Sequence, residues 1–540
     1  MDTGSESTPG LGPTKTDSRP SAPSRRTIGL ILAGLLTGLL LGFMDVTIVA
    51  TAGPTIISDL GGLSLYAWVF SAFVIVQTIV IPIFGKLSDN YGRKKFFLGG
   101  LIIFMAGSAL SGASQNIYEL IAFRAMQGIG FGAFVPTTIA IAGDLFPPER
   151  RGRVQGLLFS VNGIAFAVAP AAGSYLTEAL SWRWIFYINL PLGIVSFLII
   201  LLALHESKNP YATPFSDWRG AAALGAFLGL FTGALFLGGS TFDWASWQEA
   251  SLFILSAVML GVLVFVERRA KEPVLPPRLF KIRTISATTA VNILRAMVLF
   301  GLVAYLPLFA QAVLGASVSD VRNVVYALAL PTTAGILLSG AAIPRLGAKN
   351  MILIGAVILI GGMGALLYIT STSPLLLLME VCVPLGIGSG LMIPPAIVSF
   401  QNSVQRNEIG VASGLAAFTL NLGSALGVAS LGAIQANTFK GSLSNIFAAF
   451  PQFANSPLAD PNGAGQILAS PAALAALLAK YPQLRPFIPQ VLNAFSQSIL
   501  SLFPILLVVS VLTLLAALFI TSKRPVYAPA GGPPTQGTPS

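Results

Sequence analysis

Four ionisable side chains lie inside long apolar segments of the sequence: Asp45, Arg124, Arg295 and Glu380. A charge at the centre of a bilayer costs about 3 kcal/mol or more, so such residues are candidates for function rather than for surface solvation. Burial favours a protonated carboxylate, whereas a nearby guanidinium favours the ionised one. A carboxylate and an arginine that approach and separate would therefore release and take up a proton.

Asp45 and Arg124 are the pair predicted to carry this chemistry. Asp45 lies about 27 Å along its segment from the N-terminal end, at 1.5 Å per residue. Arg124 lies roughly 10 Å from the N-terminal end of a segment that runs in the opposite direction, so both reach a similar depth. We predict a proton-coupling role for the two residues; the alternative is a static ion pair that locks two helices.

The other two residues are candidates for binding a substrate. If Arg124 neutralises Asp45, Glu380 is the remaining carboxylate within a segment, which predicts that lipophilic monocations or neutral compounds are preferred over dications. The alternative for Glu380 is an interfacial position near the outer headgroups. For Arg295, a structural role and a role in binding a substrate anion both remain open.

The composition argues against other kinds of site. One cysteine, Cys382, permits no internal disulfide, and together with one histidine, His205, it provides no His/Cys metal site. The glycine-rich GIGFG at 128–132 lies inside an apolar segment rather than between a strand and a helix, which favours helix packing over phosphate binding. Because the scattered charges form no acid/base or nucleophile cluster, we expect neither an enzyme nor a bound cofactor or metal.

Membrane-spanning helices are the elements that must position these residues. The 540 residues are 54% hydrophobic and 9% charged, with a mean hydropathy of +0.80, whereas soluble domains carry roughly 25% charged residues. About fourteen segments have the ~20 apolar residues that cross a bilayer. We predict an all-α integral membrane protein with spans near 27–50, 65–84, 96–114, 117–143, 153–176, 184–204, 219–240, 250–266, 285–312, 322–343, 350–370, 374–400, 409–435 and 495–520.

The chain also contains an internal repeat. GIGFGAFVP at 128–136 matches GIGSGLMIP at 386–394 with an offset of 258, and GKLSDNYGRK at 85–94 aligns with GAAIPRLGAK at 340–349 with an offset of 255. The pair Gly152 and Gly156 likewise matches the pair Gly410 and Gly414. Parallel repeats in a chain with many spans are typical of transporters, whose substrate site lies between the halves near the bilayer midplane.

These patterns divide the chain into five parts. The predicted parts are a disordered tail at 1–26, a six-helix half at 27–204, a linker with two inserted helices at 205–284, a second six-helix half at 285–520, and a disordered tail at 521–540. Within the second half, 436–494 is a long outer loop, predicted to form short helices over the outer mouth.

Charge asymmetry predicts the orientation. With the N-terminus inside, the inner connections hold 24 of the 31 lysines and arginines, and the outer connections hold five. The positive-inside rule then places both termini in the cytoplasm of a multi-pass protein of the cell membrane. Basic residues that alternate across loops in this way do not form one surface, so the pI of 9.8 predicts no nucleic-acid partner.

GKLSDNYGRK resembles the signature loop of the major facilitator superfamily, and its degenerate copy lies where that superfamily has one. We expect this loop to gate the conformational change through residues that turn the chain, form an ion pair or bond helix ends: Gly85, Asp89, Gly92, Arg93 and Lys94. RAMQGIG at 124–130, FPPERRG at 146–152 and DVTIVATAGPTI at 45–56 extend the resemblance.

SWRWIFYINLPLG at 181–193 is similar to the 14-helix drug:proton antiporter family within that superfamily. The resemblance implies a monomeric secondary transporter in the lipid bilayer that exports hydrophobic, cationic small molecules in exchange for protons by alternating access. It also implies coupling roles for Asp45 and Arg124, because the family has an acid and an arginine at these positions.

One motif departs from the family pattern. In GIAFAVAPAAGSY at 163–175, Ala169 precedes Pro170 and Ser174 follows Gly173, where the family has glycines. Small residues persist, so Pro170 and Gly173 remain a predicted helix-packing signature. The departure leaves symport or uniport open beside antiport, and a carrier of a lipid or metabolite, a receptor and an embedded enzyme are the alternative functions.

Overall fold

The computed structural model describes residues 24–60, 66–205, 217–238, 242–270, 273–405, 408–449, 458, 464, 467–468 and 471–521. These residues form helices, short turns and one isolated bridge between Gly238 and Phe242. The predicted all-α class is confirmed. The two tails predicted to be disordered lie outside the described residues, except that residues 24–26 already form the cap and first turn of a helix and residue 521 follows the last one.

The first half is built from six long helices and two short ones. Its helices are α1 (Arg25–Thr51), α2 (Gly53–Leu60), α3 (Tyr66–Tyr91), α4 (Arg93–Ala113), α5 (Ile117–Leu145), α6 (Pro148–Ala179), α7 (Trp184–Tyr187) and α8 (Asn189–Ala203). Local sequence sets several boundaries: the Asn116 side chain accepts the Glu119 N–H at the start of α5, and Gly92, with φ of 107°, makes the turn between α3 and α4.

Two inserted helices, α9 (Trp218–Leu237) and α10 (Trp247–Arg269), pack against each other and follow the first half. The second half then contains α11 (Arg283–Ala312), α12 (Val318–Leu346), α13 (Ala348–Leu366), α14 (Leu375–Asn402), α15 (Ile409–Ala449), α16 (Pro471–Lys480), α17 (Ile488–Leu500) and α18 (Leu502–Leu518). The inserted α9 contacts α3 of the first half and α15 of the second.

Thirteen helical stretches in the described part of the chain are long and apolar enough to cross a membrane. The remaining long helix is α6, which has 32 residues but begins with the charged residues Glu149, Arg150, Arg151 and Arg153. With α6 included, the described residues agree with the prediction of about fourteen membrane helices.

The outer part of the second half differs from the prediction. The span expected to end at 435 continues as one helix of 41 residues to Ala449. The sequence has no proline between residue 435 and Pro451 that would break the helix earlier. The predicted short helix at Pro471–Lys480 is confirmed as α16. Phe439 of α15 packs edge-on against Phe495 of α17, with 5.0 Å between ring centroids, and both residues belong to the hydrophobic core of the second half.

The repeat appears in the structure as matched helix packing. α5 packs against α3 and α4, and its counterpart α14 packs against α12 and α13. A Cβ added to Gly128 would lie 2.7 Å from the Phe73 carbonyl oxygen on α3, and one added to Gly388 would lie 2.6 Å from the Leu359 nitrogen on α13. The glycines of GIGFG and GIGSG therefore permit close helix contact, as predicted.

Candidate functional site

Asp45 and Arg124 form a buried ion pair between α1 and α5. Arg124 Nη1 lies 2.5 Å from Asp45 Oδ2, and the two residues are 1% and 0% exposed. The prediction that the two side chains reach the same depth and meet is confirmed. The pair lies within the first half rather than among the residues that line the central cavity.

Two amide side chains complete the coordination of the Asp45 carboxylate. Gln127 Nε2 and Asn189 Nδ2 donate to Asp45 Oδ1 at 3.1 and 2.8 Å, and Arg124 Nη1 also donates to Gln127 Oε1 at 2.8 Å. Gln127 lies one turn after Arg124 on the same face of α5. Asn189 begins α8 directly after the break that follows α7, which directs its side chain into the bundle. Sequence reasoning missed both amides.

Phe73 and Val69 of α3 hold the Arg124 guanidinium from the opposite side. Arg124 Nε donates to the Val69 carbonyl oxygen at 3.3 Å, and its Cζ lies 4.4 Å from the centroid of the Phe73 ring. A guanidinium over an aromatic face gains electrostatic stabilisation. The ion pair is thus a satisfied polar network that connects α1, α3, α5 and α8 within an apolar half.

A second cluster joins the two halves at the helix ends that the charge asymmetry predicts to be cytoplasmic, here termed the inner ends. Asp89, near the end of α3, accepts the backbone N–H groups of Gly410 and Val411 at 2.9 Å each, and Arg93 Nη2 lies 2.7 Å from Asp89 Oδ1. Asp89 therefore accepts hydrogen bonds from N–H groups in the first turn of α15, which have no acceptor within their own helix and where a negative charge is favoured. The expectation that Asp89 bonds a helix end and pairs with Arg93 is confirmed. Arg93 also pairs with Asp144 of α5.

The other residues of the loop have separate contacts. Gly85 lies so close to α15 that an added Cβ would be 2.9 Å from the Gly410 carbonyl oxygen and 3.2 Å from Gly414 Cα. Gly92 makes the turn into α4, and Lys94 Nζ donates to the Leu201 carbonyl oxygen near the end of α8. Lys94 thus binds within its own half, whereas Gly85 and Asp89 contact the other half.

The close contact of α3 with α15 is one crossing between the two halves. The repeat generates a second crossing at the inner ends, between α6 and α12. A Cβ added to Gly340 would lie 2.7 Å from the Gly152 carbonyl oxygen and 3.1 Å from Gly156 Cα. Pro344 occupies the position on α12 that corresponds to Asp89 at the offset of 255. The second crossing therefore has the close glycine contact of the first without its carboxylate.

A cavity of about 360 Å³ lies between the halves, within the size range of small-molecule sites. Its lining is mostly apolar, with aromatic side chains from both halves, among them Phe43, Phe131, Phe159 and Phe300. Gln77 Nε2 donates to Asn421 Oδ1 at 3.2 Å across the boundary between the halves. This polar contact within the apolar wall was not found from the sequence.

The two candidate substrate residues differ in their placement. Arg295 lines the cavity and is fully buried. The Glu380 side chain is exposed on α14 and is not among the described residues that line the cavity. This placement favours the interfacial alternative for Glu380 over a role in binding a cationic ligand: a single charge in a segment indicates depth but not the side of the helix that faces the cavity.

The remaining predicted signature lies in α6, where Gly173 is buried and Pro170 lies inside the helix. Its packing role stays a prediction.

A contact between α2 and the residues that precede α7 gives a structural role to the start of the SWRW motif. Trp182 Nε1 and Arg183 Nη1 donate to Asp59 Oδ2 at 2.9 and 2.7 Å. These hydrogen bonds lower the pKa of Asp59 below its usual value, and the bond from Arg183 has the larger effect. Sequence reasoning missed Asp59 because it lies outside the apolar segments.

Comparisons with known proteins agree with this architecture. The sequence matches the Major Facilitator Superfamily twice, over residues 35–219 and 215–428. Multidrug resistance protein 3 of Bacillus subtilis (strain 168) is 34% identical over 496 residues, which cover 92% of this chain and 95% of that protein. The Multidrug transporter protein MdtP of the same strain is 33% identical over 426 residues, which cover 79% and 78%.

Among solved structures, the human organic anion transporter MFSD10 (TETRAN) is similar, with a TM-score of 0.57. The alignment covers 93% of this chain and 100% of that chain at 16% identity. At this identity the likeness concerns the fold alone.

Proposed function

Because this chain belongs to the major facilitator superfamily, we propose that it is a secondary active transporter that exports hydrophobic small molecules in exchange for protons by alternating access. The single observation that carries the proposal is an apolar cavity between two halves, one of which contains a buried, fully coordinated carboxylate at Asp45. The relatives named as multidrug proteins support export. We place the protein in the cell membrane as a monomer with both termini in the cytoplasm.

A short path of aromatic rings connects the cavity to the ion pair. Phe131 lines the cavity and lies 5.5 Å from Phe73, whose ring carries the Arg124 guanidinium at 4.4 Å. Phe43, which also lines the cavity, precedes Asp45 by two residues on α1. A ligand that displaces these rings shifts Arg124 relative to Asp45. The carboxylate that loses its cation then binds a proton more readily.

The inner crossings supply the second requirement of alternating access. In this structure Asp89 and Gly85 join α3 to α15 at the inner end. Opening the cavity to the cytoplasm requires these contacts to break, and closing it restores them. We therefore assign conformational gating to the loop from Gly85 to Lys94, with Asp89 as the group that holds the closed inner end.

Transport by purified protein in inside-out proteoliposomes tests this function. We use three probes that share a pyrene on a butyl chain. They end in a sulfonate, which is anionic, in an alcohol, which is neutral, or in a trimethylammonium group, which is cationic. With an acidic lumen, we expect wild type to accumulate at least one probe above the level of protein-free vesicles. Asp45→Asn is expected to bind the probe but to abolish accumulation, because it mimics a permanently protonated acid.

The matched control is Asp243→Asn, which removes an exposed carboxylate in the connection between α9 and α10. We expect it to transport at the wild-type rate. Full gradient-driven accumulation by Asp45→Asn would remove the coupling role from Asp45. Equal accumulation with and without a proton gradient would instead favour a facilitative carrier, and accumulation only with an alkaline lumen would favour symport.

A further inference from the structure

Arg295 is a buried cation with unused hydrogen-bonding capacity. It lies near the middle of α11, is 0% exposed and lines the central cavity. Its Nη2 donates to Asn292 Oδ1 at 3.0 Å, whereas Nε and Nη1 have no hydrogen-bond partner in the described part of the chain. Buried guanidinium groups are normally paired, because an uncompensated charge in low dielectric is costly.

The described residues contain no carboxylate that compensates this charge. No acidic side chain among them lies within 4.0 Å of the Arg295 guanidinium nitrogens, and none lines the cavity. Arg124, which is buried to a similar extent, has its Nη1 at 2.5 Å from Asp45 Oδ2. The central cavity therefore carries a net positive charge on its described wall.

Asn292 fixes the direction of the guanidinium. Its Nδ2 donates to the Ala416 carbonyl oxygen at 2.9 Å and to Thr419 Oγ1 at 2.8 Å. Because a carbonyl oxygen only accepts, the amide nitrogen must face α15, which leaves Oδ1 to face Arg295. Asn292 is thus a positioning residue that holds Arg295 against the cavity through a contact with a second helix.

The Gln77 side chain, which belongs to the other half, also has unused hydrogen-bonding capacity in the cavity. Gln77 donates through Nε2 to Asn421, but its Oε1 has no partner in the described part of the chain. The cavity therefore presents unused donors at Arg295, an unused acceptor at Gln77 and an apolar wall with aromatic rings.

We propose that the cavity recognises amphipathic anions: a carboxylate or sulfonate accepts hydrogen bonds from the unused N–H groups of Arg295, while the apolar body of the substrate packs against the aromatic wall. This inference rests on the proposed export function and names its substrate class. It replaces the expectation of lipophilic cations, because a cation would meet Arg295 as a like charge in low dielectric.

Ligand binding to the full-length protein in nanodiscs tests the substrate class separately from transport. The three pyrene probes differ only in their terminal group, so their dissociation constants compare a sulfonate, an alcohol and a trimethylammonium in one cavity. A hydrogen bond to a charged group contributes about 1.5–3 kcal/mol, which predicts a sulfonate affinity about tenfold to a hundredfold above that of the alcohol. The trimethylammonium probe is expected to bind most weakly.

Variants assign the preference to Arg295. We expect Arg295→Gln to lose the tenfold to hundredfold preference while it binds the alcohol within about threefold of wild type. Arg295→Lys keeps the charge and is expected to retain part of the preference. The matched control, Arg322→Gln, removes an exposed arginine on α12 and is expected to bind all three probes as wild type does.

The outcomes separate the two proposals. Equal binding of the three probes, tighter binding of the trimethylammonium probe, or binding of none of them would overturn the anion site, whatever the transport assay gives. Selective sulfonate binding that Arg295→Gln abolishes would support the site even if no gradient drives transport, in which case the export function alone fails. If Arg295→Gln does not fold, a smaller sulfonate-induced rise in Tm for Arg295→Lys than for wild type supports the site, and an undiminished rise overturns it.

Discussion

At the scale of single residues, Arg124 and Arg295 are both buried but have opposite electrostatic surroundings. Arg124 has Asp45, Gln127 and the Val69 carbonyl oxygen as acceptors, so its charge is compensated. Arg295 has one neutral acceptor in the described residues. A buried pair loses much stability when one partner is removed, whereas an uncompensated charge is itself a source of instability. Stability measurements therefore distinguish a structural arginine from one kept for a ligand.

We predict that Arg295→Met raises or preserves the Tm of the ligand-free protein, whereas Arg124→Met lowers it. The first change costs a hydrogen bond to Asn292 but removes an uncompensated buried charge. The second leaves Asp45 without its cation, a loss of about 3–5 kcal/mol for a buried pair. Thermal unfolding in nanodiscs measures both, and the double variant Asp45→Asn, Arg124→Met is expected to recover part of the loss. A large fall in Tm for Arg295→Met would make Arg295 a structural residue.

The sequence predicted some of these residues because charges stand out in apolar segments. Asp45 and Arg124 could be paired from depth alone, since each helix rises by a fixed length per residue. Gln127 and Asn189 could not, because neutral amides occur at many helical positions and their partners depend on how helices rotate against one another. The same missing rotation explains why the sequence could not decide between a cavity position and an interfacial position for Glu380, whose side chain is exposed on α14.

At the scale of elements, the inner crossings show how the repeat became asymmetric. Gly85 against Gly414 on α3 and α15 corresponds to Gly340 against Gly156 on α12 and α6. Asp89 caps α15 in the first crossing, but Pro344 stands at the matching position in the second. Steric contact is thus shared by the two crossings, whereas electrostatic attachment belongs to one of them. We propose that closure of the inner end depends on both contacts.

We predict that Gly85→Ala weakens closure of the inner end. The added Cβ would lie 2.9 Å from the Gly410 carbonyl oxygen, which is backbone and can move only if α3 and α15 separate. In a Cys382→Ala background, spin labels at Arg150→Cys and Arg345→Cys report the distance between the halves, and we expect longer distances and slower transport, with probe affinity within about threefold. Gly99→Ala is the matched control, since no atom lies within 4 Å of its added Cβ. Identical distance distributions for the two variants would remove the steric role of Gly85.

Element types were predictable from the sequence, but their ends were less so. Apolar runs near twenty residues identify membrane helices because the bilayer sets their length. The same criterion fails for α15, which continues to Ala449 beyond the span expected to end at 435. Outside the hydrocarbon, the end of a helix depends on tertiary contacts such as Phe439 against Phe495, which no local pattern records.

At the scale of the whole molecule, the length of α15 and the distribution of basic residues together indicate how the chain is oriented in the membrane. A helix of 41 residues is about 60 Å long, roughly twice the thickness of the hydrocarbon core. Its N-terminus lies at the inner crossing beside Asp89. Its C-terminal turns must therefore project well beyond the opposite face of the bilayer, on the side that has few basic residues.

We predict that Ser444, exposed near the end of α15, lies outside the cell and that Arg150, exposed at the start of α6, lies in the cytoplasm. In a Cys382→Ala background, an impermeant maleimide is expected to label Ser444→Cys in intact cells and Arg150→Cys only after permeabilisation. The background alone controls for labelling of other proteins. The two sites lie on opposite sides by helix geometry, so the same accessibility for both would contradict the length argument for α15. A reversed pattern would leave the fold intact but place both termini outside, which would overturn the orientation inferred from 24 basic residues on the inner connections against five on the outer.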